Sequence, residues 1–139
     1  MKKKVGILVV LSLLVIPSWS LAHFISEEMD QCMEKDPSTS GQLECMEIAF
    51  DKWDEELNRV YTILMTNLDT ESKEALQESQ RRWIKFRDSE LNFLGCYYEN
   101  FSGTMYVPMQ AYSELKITKE RALKLHGYLN FIEEHLWFQ

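Results

Sequence analysis

From Leu43 onward the apolar positions fall at Leu43, Met46, Phe50, Trp53, Leu57, Val60, Leu64 and Leu68. Steps of three and four keep one helical face apolar for about seven turns. Thr39 followed by Gln42 reads as a capping box that starts this helix, and Asn67-Leu68-Asp69-Thr70 as a break with a new cap at Asp69 or Thr70. A second helical pattern uses Leu76, Gln80, Trp83, Phe86 or Arg87, Glu90 or Leu91, and Leu94. It ends near Asn100, where Ser102-Gly103-Thr104 supplies loop chemistry. A third pattern has Pro108 in its first turn, where proline is tolerated, and continues through Met109, Tyr112, Leu115, Ala122, Leu125, Leu129 and Ile132. No stretch alternates convincingly as a strand. The pattern predicts an all-α fold, a small antiparallel helical bundle of three long helices with a shorter entry helix around residues 24–35.

Two stretches stand out on these patterns, Glu56-Leu57-Asn58-Arg59-Val60-Tyr61 and Gln80-Arg81-Arg82-Trp83-Ile84-Lys85-Phe86-Arg87-Asp88. They read as the two arms of one helical hairpin. Trp83 and Arg87 are one turn apart and can stack, on a face shared with Gln80 and Phe86. Buried among aromatics, such polar groups need partners, with Asn58 or Glu56 on the preceding helix the natural candidates. Leu57, Asn58, Tyr61, Gln80, Trp83, Phe86, Arg87 and Asp88 are therefore taken as a structural signature that locks two helices in register. Neither stretch holds a nucleophile with a base, a metal-ligand spacing or a phosphate loop.

The ends bound the compartment. Lys2, Lys3 and Lys4 precede an apolar run from Val5 to Ile16, Pro17 breaks it, and Ser20-Leu21-Ala22 offers the small residues a signal peptidase recognises. The run is shorter than the ~20 residues that span a bilayer. We read residues 1–22 as a cleavable signal peptide without a lipobox, and 23–139 as one helical domain in the periplasm or outside the cell, with no integral membrane segment. Residues 130–139 read as a C-terminal extension that either docks or binds a partner.

Charge narrows the partners. Losing Lys2, Lys3 and Lys4 takes the net charge from −7 to −10, and residues 23–56 alone carry −9. Such an imbalance disfavours nucleic acid and anionic membranes and favours a cationic protein. Glu44, Glu47, Asp51, Asp54 and Glu55 cover about one quarter of a helix circumference, clear of the Leu43–Phe50–Leu57 face. A solvated face is the plain reading of these acids, and a docking stripe for a basic partner the sharper one. Arg81, Arg82 and Lys85 read as a solvated basic strip. His23, His126 and His135 are too scattered for a metal motif, and no carboxylate pair is marked out for catalysis, so neither cofactor nor enzyme activity is expected.

Three cysteines in an exported chain imply one disulfide and one remaining thiol. A bridge between Cys32 and Cys45, around the turn Asp36-Pro37-Ser38-Thr39-Ser40-Gly41, would pin the entry segment to the first long helix. Cys96, amid Phe93, Tyr97, Tyr98 and Phe101, reads as a small buried hydrophobe.

With these residues in order, the chain resembles the LprI-type lysozyme inhibitor family of exported bacterial proteins. The likeness runs from about Cys32 to Leu125. It is carried by the Cys32 and Cys45 spacing, Asp54 to Tyr61, Gln80 to Asp88, Gly103-Thr104 and Ile117-Thr118-Lys119-Glu120-Arg121-Ala122. The resemblance implies a small exported helical domain that binds and blocks lysozyme. It also implies two further cysteines, at positions that here hold Leu91 and Ser113, so a second disulfide is absent as a pair. The expected function is occlusion of a cationic muramidase by the acidic surface, with Glu44, Glu47, Asp51, Asp54 and Glu55 as contacts. The alternative is an immunity-type or envelope-assembly protein that uses the Tyr97–Gly103 loop or the aromatic tail. The oligomeric state stays open.

Overall fold

The computed structural model describes residues 18–136. Residues 1–17 of the expected signal peptide, and the last three residues of the chain, lie outside the described residues. Four α-helices follow one another: α1 (Ser18–Lys35), α2 (Thr39–Asn67), α3 (Thr70–Tyr98) and α4 (Tyr106–Leu136). No strand occurs among the described residues, and the all-α bundle foreseen from periodicity is what forms. The entry helix is longer than the sequence suggests, since α1 begins at Ser18 and runs through the expected cleavage point after Ala22.

Side chains organise the turn between α1 and α2. Ser38, not Thr39, is the N-cap, and its hydroxyl accepts the Gly41 N–H at 3.1 Å. The Gln42 amide reaches back to donate to the Pro37 carbonyl at 2.8 Å and does not accept the cap N–H, so the expected Thr39–Gln42 capping box does not form. Asp36 accepts the Ser38 N–H at 3.0 Å and presses so close to Gly41 that a Cβ there would lie 2.2 Å from its carboxyl carbon. The Cys32–Cys45 disulfide closes this turn, with Cα atoms 5.7 Å apart and Cys45 buried. Asp69 caps α3 by accepting the Ser72 N–H at 2.9 Å. Gly103, at φ +128°, takes the left-handed turn that leads into α4.

The core lies between α2 and α4, with α1 laid across them. Trp53, Leu57, Val60 and Leu64 of α2 meet Leu115, Ala122, Leu125 and Leu129 of α4, and Ile25 and Met29 close it from α1. The expected α4 face is corrected at its start. Met109 and Tyr112 are exposed, while Thr118 and His126 are buried. The tail continues α4 through Leu136, with Ile132 packed on the core and Phe131 exposed and stacked on His135.

The expected α2–α3 hairpin is not what forms. α3 leans on α4 and barely touches α2, and none of its residues is buried. The cause is compositional. The inward stripe of α3 is interrupted by Gln80, Arg87 and Glu90, so it cannot fill a dry seam, while α4 offers α2 the mainly aliphatic face of Leu115, Ala122, Leu125 and Leu129, with Thr118 and His126 buried among them. Arg87 is the half-buried member of its turn and Phe86 is 55% exposed. Cys96, expected to be buried, is an exposed free cysteine.

Candidate partner-binding site

The acidic stripe lies along the outer side of the first half of α2. Glu44, Glu47, Asp51 and Glu55 are exposed, and Asp54 is half-buried. Asp54 accepts the Asn58 side-chain amide at 3.1 Å, within its own helix. Among the described residues, no ion pair engages Glu44, Glu47, Asp51 or Glu55. The nearby cation Lys52 is already held by Glu28 of α1. Four carboxylates therefore share one face without a compensating charge, which raises the local negative potential and draws in cations.

The signature stretches dock on α4 rather than on each other. Glu56 is buried, receives Arg59 Nε and Nη2 at 2.7 Å each, and lies 2.5 Å from His126 Nε2 of α4. The His126 contact is an ion-pair approach without hydrogen-bond alignment, and its Nδ1 has no partner. The hydrogen bonds it donates to Glu56 hold the Arg59 guanidinium above its ordinary pKa. In the second stretch, Trp83 lies between two guanidinia, Arg87 at 5.4 Å and Arg121 of α4 at 5.8 Å from the ring. Gln80 and Ser79 accept from Arg121 at 2.9 and 3.2 Å, and burial lowers its pKa. Arg87 donates to Asp88 at 2.7 Å. The partners expected for this group on α2, Asn58 and Glu56, are thus replaced by residues of α4, because α3 leans on that helix.

Leu57 is buried in the core and Tyr61 packs at its edge. No cluster of three metal-ligating side chains occurs among the described residues, and His23 is an exposed group 3.6 Å from Glu27. Sequence reading missed the Glu56–His126 pair, although both residues sit between core positions of their helices and so point inward. It also missed that Leu91, Met109 and Tyr112 border open cavities beside the stripe.

A family model described as "Lysozyme inhibitor LprI" matches residues 32–125, which takes in the disulfide, α2, α3 and most of α4. Among solved structures, a putative uncharacterized protein from Burkholderia thailandensis aligns with a TM-score of 0.70 at 36% identity, over 74% of this chain and 51% of that one. The present chain therefore spans about half the length of that protein. No curated protein sequence matches it. The matched segment covers more than half of the chain, and the chain belongs to the LprI lysozyme inhibitor family.

Proposed function

We propose that the protein is an exported inhibitor that binds a basic lysozyme through the acidic side of α2 and occludes its substrate cleft. The observation that carries this reading is the uncompensated stripe of Glu44, Glu47, Asp51 and Glu55 on a chain of the lysozyme inhibitor family. Lysozymes of the C type are strongly basic, so opposite fields steer the encounter, and rim contacts fix the docked orientation. The work is done by binding and steric exclusion, and the family description names an inhibitor rather than an enzyme. Export follows from the reading of residues 1–22 as a signal peptide.

Calorimetric titration with a basic C-type lysozyme at low salt tests the stripe. Wild type should bind saturably, and the triple variant E44Q/E47Q/D51Q should bind about tenfold more weakly with an unchanged melting temperature. Equal affinities would remove the stripe from the interface.

A further inference from the structure

Beside the stripe, where α3 stands off from α2, two neighbouring cavities along α2, α3 and α4 form a trough with two lobes. One lobe, of about 340 Å³, lies between Leu43 and Phe50 of α2, Leu91 of α3 and Leu115 of α4. The other, of about 550 Å³, opens toward the α3–α4 turn beside Tyr98, Met109 and Tyr112. Met46 borders both. The charged residues that line the two lobes are Glu47 and Glu114, and no Lys, Arg or His lines either. The cavities elsewhere on the molecule differ, being lined by Lys35 and Lys52, by Lys52 and Arg59, or by Arg121 and Lys124. Glu114 accepts the Gln110 amide at 2.9 Å, which holds it in place without neutralising it. An apolar trough with a purely anionic rim suits an apolar side chain accompanied by a cation.

We propose that this trough is the anchor site of the inhibitor. An apolar or aromatic side chain of the basic partner enters between Phe50 and Leu91, and a neighbouring Lys or Arg meets Glu47 or Glu114. The inference rests on the lysozyme-inhibitor reading and deepens it, since the stripe then steers while the trough holds. Charge argues for a cationic protein and against a second copy of this chain. A copy brings the same net negative charge, −10 once Lys2, Lys3 and Lys4 are lost, and two-fold docking would bring like-charged surfaces together.

Methyl-labelled methionine NMR of the full domain, titrated with a basic C-type lysozyme at low salt, reads the trough directly. The Met46 and Met109 signals should shift on binding. Met109→Arg, at an exposed position that tolerates charge, should weaken binding about tenfold or more. E44Q/D51Q, which leaves the trough lining intact, should mainly slow association. Binding with both signals unmoved and full affinity in Met109→Arg would overturn the trough while leaving the inhibitor reading in place. No binding at low salt would overturn that reading and this inference with it. Shifts that grow with the concentration of the protein alone, together with a dimer in sedimentation, would assign the trough to a second copy and contradict the proposal.

Discussion

Glu56 is the residue on which the two main helices meet electrostatically. It is 3% exposed, between Arg59 on its own helix and His126 on α4. Removing the Glu56 carboxylate takes two hydrogen bonds from Arg59 and leaves the buried His126 ring without its polar neighbour. Glu56→Ala should therefore cost about 3 kcal/mol in urea unfolding, well above the ~1 kcal/mol of an average substitution. A loss within the ordinary range would show that the pair is dispensable. The capping and surface carboxylates act with pH instead. Hydrogen bonds from Ser72 lower the Asp69 pKa from 3.8, and the hydrogen bond from Arg82 lowers that of Glu78 from 4.5. A lowered carboxylate pKa favours the folded state above the ordinary value and loses that contribution as pH falls through the lowered one. Stability should accordingly decline below about pH 4, and Asp69→Asn, which caps without titrating, should flatten the decline. Helical spacing sets Glu56 three residues after Trp53 and His126 four after Ala122, on the core faces, although the sequence reading singled out neither as buried. Their pairing is invisible there, since nothing in either helix specifies which face of the other it will meet.

Elements differ in how firmly they are held. α1 is fixed by Ile25 and Met29 in the core and by the Cys32–Cys45 bridge around a short loop. Closing a loop of this size restricts the unfolded chain by about 3 kcal/mol, so C32S/C45S should shift the denaturation midpoint by a corresponding amount. An unchanged midpoint would mean that packing alone secures α1. α3 has no buried residue and reaches α4 through the Arg87 and Arg121 contacts with Trp83, the Arg121 hydrogen bonds to Gln80 and Ser79, and the Tyr98–Ser113 hydroxyl pair. A double-mutant cycle between Trp83→Ala and Arg121→Ala should give a coupling of about 0.5–1 kcal/mol, whereas Trp83 and Asn58 should show none. Helix existence was readable from periodicity, because it is local, and the ends of α2 and α3 to within a residue or two, while α1 starts earlier than its pattern suggests. The pairing of α3 was not, because its contact face is made of half-buried polar and aromatic groups that no apolar stripe advertises.

The whole molecule is a charge-separated bundle. Negative charge collects on the first half of α2, the core is shared by α1, α2 and α4, and α3 stands off to open the trough. The acidic stripe was legible because helical spacing places its members together. The trough was not, since it exists only through the divergence of α2 from α3. Whether this geometry blocks a basic lysozyme is read by a lytic assay of the enzyme on cell walls. Titrating the protein into a basic C-type lysozyme at about 10 mM salt should abolish lysis stoichiometrically. Inhibition should weaken steeply near 1 M, where the screening length falls from about 30 to 3 Å. Undiminished lysis at low salt, with the inhibitor folded and in excess, would contradict the inhibitor reading.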